Sequence, residues 1–215
     1  WELQELLFQA YGWRQKACYC CDTSVEQLRE SGGAWVNLVL RGEAAGAAQI
    51  MEKTCGIPWI QGMPYGYRGT MEWLESLEAA AGRKPDSGLM ETLREKSMEA
   101  SMYQAYGRML KEDKPVAALV GEYHTITGLA GFLEDMGITI GLKLCLHSLK
   151  GIEHPDPEVL HAKTEKEKIA LVEGLHKHLI MADDVTLRLC AKDNTCLRIS
   201  APVVNGAQVA NHRPI

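Results

Sequence analysis

The sequence predicts an α/β fold of two three-layer units with parallel sheets, joined by a helical crossing. Three observations carry this prediction. Short apolar runs such as Trp35 to Leu40, Ile57 to Ile60 and Val116 to Val120 alternate with segments of helical periodicity. The connections between them run from about two to six residues, the length typical of strand–helix crossovers in parallel sheets. Finally, the Gly/Pro-rich stretch from Thr54 to Leu77 closes one such series and launches the helices that lead into the next.

In chain order, Trp1 to Tyr11 places apolar side chains at helical spacing, and Gly12 supplies the stop, so the segment reads as an amphipathic helix. Trp13 to Cys21 reads as a strand. Ser24 can cap a short helix, Val25 to Glu30, which Gly32 and Gly33 end before the apolar strand Trp35 to Leu40. A small-residue helix from Ala44 to Thr54 follows, with Gly56 as its C-cap and Ile57 to Ile60 as the next strand. Met63 to Gly69 forms the crossing, and Thr70 is expected to cap a helix running from Met71 to Ala81.

Ser87 to Lys111 reads as a longer helix, in which Leu89, Leu93, Met98, Met102, Tyr106 and Met109 recur at helical spacing and are expected to pack into a core. Val116 to Val120 is the clearest strand in the chain. From Gly121 to Thr127 the chain turns into a helix that reaches Met136, with Gly137 past its end, and Ile138 to Leu146 is the strand that follows. Ser148 to His161 reads as a polar loop carrying Pro155 and Pro157, and Thr164 to about His176 as a charged helix. His178 to Met181, Asp184 to Ala191 and Leu197 to Ile199 complete the series as strand, helix and strand.

With 215 residues, 46% hydrophobic and 24% charged, the composition is that of an ordinary globular protein. The net charge of −5, with basic residues interspersed among acids, argues against nucleic acid as a partner. No apolar run is long enough to span a bilayer, and no secretory signal pattern is present, so the reading is no membrane partner and a cytoplasmic location. The seven cysteines are an odd number in mostly apolar surroundings, which suits a reducing compartment. The chain opens directly on a helical pattern without an initiator Met and closes on Asn211-His212-Arg213-Pro214-Ile215 as though a loop continues, so it reads as part of a longer protein.

Gly56-Ile57-Pro58-Trp59, together with Met63-Pro64-Tyr65-Gly66-Tyr67-Arg68-Gly69-Thr70-Met71-Glu72-Trp73-Leu74, resembles the crossing from the second to the third domain of nitrogenase component 1-type proteins. Val116 to Gly121, the helix ending Glu134-Asp135-Met136-Gly137, and Leu197-Arg198-Ile199-Ser200-Ala201-Pro202 are similar to the third domain of those subunits. This resemblance implies Rossmann-like units: an incomplete second domain over 1–69, connecting helices over 70–112, and a third domain over 113–215. It also implies a reductive oxidoreductase of several subunits, with a metallocluster or tetrapyrrole bound among the domains. Electrons come in that family from an ATP-dependent iron–sulfur reductase.

Carried over position by position, the resemblance also shows departures. The position that holds a cysteine ligand of the nitrogenase catalytic cofactor is Leu40 here, and that of its histidine ligand falls near Ala201. The family's Gly/Arg loop corresponds to Gly121 to Thr127, which has no Arg. Molybdenum-nitrogenase activity itself is therefore not expected, and no cofactor is assigned to this stretch alone. An iron–sulfur or other metallocluster is expected only in the full-length complex, with a homologous subunit and the reductase as partners.

In open parallel sheets ligands bind beyond the carboxyl ends of the strands, which selects Arg41-Gly42-Glu43, Gly121 to Thr127, His147-Ser148 and Ala182-Asp183-Asp184. Tyr123 and His124, a phenol and an imidazole at a strand-to-helix turn, are the candidates for proton donation to a substrate under reduction. A solvated turn with His124 as a capping residue accounts for the same pair. Arg41, Gly42, Glu43, Gly121, Glu122, Thr125 and His147 are the candidate ligand-binding residues, although a surface ion pair explains Arg41 and Glu43 equally. Asp183 reads as an N-cap, and His176 and His178 as imidazoles at a helix C-terminus. Cys18 and Cys20 share one face of a strand and Cys21 the other, so they read as small hydrophobes, whereas Cys190 and Cys196 flank a turn and read as a buried pair or a redox pair.

Two functional readings follow. The first is a nitrogenase component 1-like subunit fragment that takes part in reducing a cofactor-bound or tetrapyrrole-like substrate. The alternative is a non-catalytic scaffold that holds a metallocluster or an anionic ligand.

Overall fold

Local capping chemistry sets most of the breaks. Ser24 accepts from the Gln27 amide while the Gln27 side chain accepts from the Ser24 N–H, a capping box that starts helix α2 (Val25–Glu30). Helix α1 (Glu2–Tyr11) stops at Gly12 with φ +68, and α3 (Ala45–Cys55) stops at Gly56 with φ +69. Both positions are left-handed, where any side chain would be strained. The computed structural model describes residues 2–19, 23–110, 116–152 and 155–199, and describes 103–110 for their backbone alone.

Two compact units emerge, Trp1–Ala100 with Lys150–Ile152, and Ser101–Leu149 with Glu153–Ile215. In the first, strands β1 (Asn37–Val39) and β2 (Trp59–Gln61) pair in parallel, Asn37 opposite Trp59. The pleat sends Leu38 and Ile60 to one face, where they pack with α1, α4 (Gly66–Ala81) and the first turns of α5 (Ser87–Leu110) around Trp73, Leu74 and Leu77. Val39 and Trp59 point the other way, onto Ala45 and Ala48 of α3. The Tyr11 hydroxyl donates to the Leu74 carbonyl at 2.9 Å and ties α1 to α4; burial, reinforced by nearby Glu78, pushes this phenol up to about 12.

The second unit holds a five-stranded parallel sheet. Its members are β3 (Val116–Gly121), β4 (Thr139–Cys145), β5 (Val159–His161), β6 (Leu179–Ala182) and β7 (Thr195–Arg198), in the order β5-β4-β3-β6-β7. Ala117, Ala118, Leu119 and Val120 are wholly buried, as the central strand of a sheet covered on both faces requires. Ala118, Val120, Leu144, Ile180 and Ala182 form one face with Val172 of α7 (Glu165–Glu173). By the pleat, the intervening residues face the other way, where α6 (Tyr123–Asp135) lies against β3 and β4. The register slips by one between Ala117 and Ala118, so that Gly141 is the extra residue of a β-bulge in β4.

The expected α/β layers with parallel sheets are present, with local corrections. Residues 13–19 are not a strand. The Thr23 hydroxyl bonds both the N–H and the carbonyl of Cys18 at 2.8 Å, so a local side chain takes up the groups a ladder would use; Cys20 and Cys21 lie outside the described residues. Thr70 is no N-cap, because α4 begins at Gly66 and the Thr70 hydroxyl donates back to the Gly66 carbonyl at 2.6 Å. The polar loop after β4 contains strand β5, and the helix after Asp183, α8 (Asp184–Leu187), is a single turn. The apolar stripe of α5 divides: Leu89, Met90 and Leu93 pack on the first unit's core, whereas Met98 and Met102 are exposed. Helical periodicity marks a face without specifying what covers it, and the side chains of Tyr106 and Met109 lie outside the described residues. Among the described residues no helix is long and apolar enough to cross a membrane.

Candidate functional site

The carboxyl end of β3 turns directly into α6, and this turn places the candidate proton donors. Glu122 is the N-cap, its carboxylate accepting from the Thr125 amide at 3.0 Å and from the Thr125 hydroxyl at 3.2 Å. These two candidate ligand-binding residues therefore spend their polar atoms on one another. Gly121 ends β3 opposite Cys145, and its carbonyl accepts from Leu146. His147, two residues beyond β4, reaches the same edge of the sheet and is exposed.

Tyr123 is 8% exposed, and its hydroxyl accepts from the Asp156 amide at 2.7 Å. Its ring meets the half-buried His124 ring edge-on, with centroids 5.1 Å apart. The phenol is thus held as an acceptor by the loop before β5, which leaves its own proton to be donated.

That loop is anchored by a residue which sequence reasoning passed over. Lys143, in the middle of β4 with a side chain 10% exposed, places its ammonium 2.6 Å from Asp156 and 2.8 Å from Glu158. Burial acts to lower the Lys143 pKa, but the hydrogen bonds and charges of the two carboxylates outweigh it and the net shift is upward. Asp156 is lowered, chiefly by the Lys143 hydrogen bond. A single lysine inside an otherwise apolar strand was the available signal, since a buried ammonium needs an acidic partner.

The pH consequences have opposite signs at the two ends. The stabilisation from Asp156 is present above the ordinary aspartate range near about 3.9 and is lost as the pH falls through its lower folded value. That from Lys143 is present below about 10.4 and is lost as the pH rises through its higher folded value. We expect the thermal midpoint of the protein to fall in both limbs. Lys143→Met should flatten the alkaline limb, and a melting series across pH reads this directly.

In the first unit, Arg41, Gly42 and Glu43 follow β1. Arg41 and Glu43 are exposed and form no ion pair with each other among the described residues. Gly42 is buried for a packing reason: a Cβ there would lie 2.6 Å from Ile152 Cδ1. Gly151, at φ +88, approaches from the same segment, and a Cβ on it would meet the Gly42 carbonyl oxygen at 2.8 Å. The turn is thus covered by the chain itself rather than shaped as a phosphate cradle. Gly151→Ala combines a forbidden backbone angle with a clash against main chain, and should cost about 1–3 kcal/mol of stability in denaturant unfolding.

The remaining candidates have structural partners. Asp183 caps α8, accepting from the amides of Val185 and Thr186 at 2.8 and 3.0 Å and from the Thr186 hydroxyl at 2.6 Å. Burial acts to raise the Asp183 pKa, but these donors and the positive charge of Lys168 leave it lowered overall. Asp184 pairs with Arg198 at 2.7 Å. His176 is not at a helix end, because α7 stops at Glu173; it lies 3.2 Å from the Asp193 carboxylate.

Among the described residues no group of three or more His, Cys, Asp or Glu side chains is arranged to hold a metal ion. Leu40, at the end of β1, offers no ligand, and Ala201 lies outside the described residues. The donor set therefore does not fit a metallocluster bound by the described residues alone, and no chemical step is derived through one.

The family model for nitrogenase component 1 type oxidoreductases matches residues 1–215, the whole chain. The chain belongs to that family. No curated protein matches it. Among solved structures, this nitrogenase component 1-type chain is similar to nitrogenase Cp1 at pH 5, with a TM-score of 0.58 and 16% identity over 85% of this chain and 44% of that one. Nitrogenase Cp1 at pH 6.5 matches with a TM-score of 0.49 and 23% identity over 67% of this chain and 28% of that one. At these identities the first likeness is one of fold, and the chain spans less than half the length of the solved nitrogenase chain it matches. The layered α/β architecture of this family member is accordingly Rossmann-like, as the resemblance implied.

Proposed function

We propose that this chain contributes the second and third domains, residues 1–69 and 113–215, of an oxidoreductase subunit, with 70–112 as the connecting helices. The whole protein reduces a tetrapyrrole-like or cofactor-bound unsaturated substrate, taking electrons from an ATP-dependent iron–sulfur reductase and working beside a homologous subunit. Membership of the family over all 215 residues carries this reading. In it, the β3–α6 turn faces the substrate: Tyr123 and His124 deliver protons to carbons receiving electrons, and Gly121, Glu122, Thr125 and His147 shape the edge of their site; Arg41, Gly42 and Glu43 are a separate candidate ligand contact of the first unit, with Arg41 and Glu43 as its exposed members. Asp156 holds the Tyr123 oxygen so that its proton points away from the loop.

The test is anaerobic turnover of the full-length protein with its reductase, ATP and a reductant, assayed on tetrapyrroles and small unsaturated substrates. Reductant-dependent product formation supports the reading; its absence with a reductase competent toward another family member overturns it.

A second reading, an assembly scaffold for a metallocluster or anionic ligand, is favoured by Leu40 at the position where the cofactor-binding nitrogenase subunit has a cysteine ligand. Metal analysis of anaerobically purified protein separates the two. A cluster released to an acceptor protein without substrate turnover supports the scaffold.

A further inference from the structure

Lys143 stands where an aliphatic side chain would serve the sheet equally well. It lies in β4 between two buried apolar residues, Leu119 of β3 and Val159 of β5. Leu142 and Leu144 belong to the face that packs on Val172, so the pleat turns Lys143 to the opposite face, where α6 with Tyr123 lies. An ion pair taken out of water adds little net stability over apolar groups of the same volume, so packing alone does not account for this ammonium.

What the ammonium does is fix Asp156, which is held through every polar group it has. One carboxylate oxygen meets Lys143 at 2.6 Å, and the other accepts from the Glu158 amide at 2.9 Å. The Asp156 carbonyl accepts from the Val159 amide at 3.1 Å, and its own amide donates to the Tyr123 hydroxyl at 2.7 Å. Glu158 also meets Lys143, at 2.8 Å, but from a side chain that is 76% exposed. A hydroxyl carries one proton and two lone pairs, so a phenol that accepts from an amide keeps its proton for another acceptor.

We infer, resting on the reduction proposed above, that Lys143 is a positioning residue for proton delivery by Tyr123, acting through Asp156 and not through Glu158. The Tyr123 O–H bond breaks as its proton joins a substrate carbon that has received electrons from the reductase, and the negative charge stays on the phenolic oxygen. Water returns the proton afterwards.

The Asp156 amide faces that oxygen throughout. Its hydrogen bond becomes charge-assisted as the phenolate forms, so it contributes more to the transition state than to the bound substrate. Lys143 keeps the amide in place by holding the carboxylate of the same residue. Without the ammonium, the loop before β5 loses its tie to the middle of β4, and the phenol loses a fixed donor.

Two measurements on the full-length protein test this, and the first needs no turnover. Residue-resolved hydrogen exchange should show the Asp156 amide exchanging about tenfold faster in Tyr123→Phe and in Lys143→Met, with little change in Glu158→Gln. In the turnover assay Lys143→Met should lower kcat by about 10–10²-fold with KM little changed, and Lys143→Arg should recover most of the loss. Lys143→Met combined with Tyr123→Phe should be no slower than Tyr123→Phe alone, to within about twofold, because a residue that acts through the phenol has nothing left to position. Multiplied losses in the double variant, full turnover in Tyr123→Phe, or Glu158→Gln matching Lys143→Met would each overturn the inference. Absence of turnover in the unaltered protein overturns the reduction, whereas unchanged Asp156 exchange in Lys143→Met overturns the positioning alone. If circular dichroism shows that Lys143→Met does not fold, Asp156→Ala, which removes the carboxylate and keeps the amide, takes its place with the same expected outcomes.

Discussion

Ile180→Ala is expected to lower the unfolding free energy of the sheet-bearing unit by about 2–5 kcal/mol, a large fraction of a domain's stability. Ile180 is wholly buried in β6, with Ala118 of β3 on one side and Cys196 of β7 on the other. The residues around it, Ala118, Val120 and Ala182, are already small and sit on paired strands. They have little freedom to close over the space left by the missing carbons, so the cavity cost adds to the lost transfer energy. Guanidinium unfolding followed by circular dichroism measures the shift, and a change below about 1 kcal/mol would show that this sheet is not packed as described.

The second large effect concerns turnover. Under the proposed function, His124→Gln lowers kcat by about 10²–10⁴-fold with KM little changed, because a proton donor acts in the transition state rather than in ground-state binding. Tyr123→Phe has two consequences that can be told apart. Removing the hydroxyl orphans the Asp156 amide, which should cost about 1–3 kcal/mol of stability, and it removes a proton from the site, which should lower kcat. A Tyr123→Phe protein that loses stability but keeps full turnover would assign the phenol to holding the loop alone. Full activity in His124→Gln would remove the imidazole from the mechanism.

The strand-to-helix turn at this site was legible in the sequence, but its cap was misplaced: Glu122 caps α6, and not His124. Glu122 three residues before Thr125, after an apolar strand, is a local pattern whose hydrogen bonds lie within one turn of helix. The same locality made Ser24, Gly56 and Asp183 readable. What the phenol does was not legible, because the amide that holds it comes from Asp156, 33 residues away, on a loop whose position depends on Lys143. Strand β5 was missed for a related reason: three residues in a polar segment become a strand only when β4 offers its edge, as Lys143 opposite Val159 and Cys145 opposite His161 show. Conversely, residues 13–19 carry a strand-like composition without a ladder partner among the described residues.

By itself, then, the sequence determined the alternation of strand and helix and several helix caps, because each rests on periodicity or hydrogen bonds that span only a few residues; the family was legible as a resemblance carried by motifs in order along the chain. Tertiary structure alone decided the order β5-β4-β3-β6-β7, the burial of Lys143 against its two carboxylates, the closing of Gly42 beneath Ile152, and the exposure of Met98 and Met102. Those outcomes depend on which distant segments meet, and periodicity in one segment carries no record of its partner.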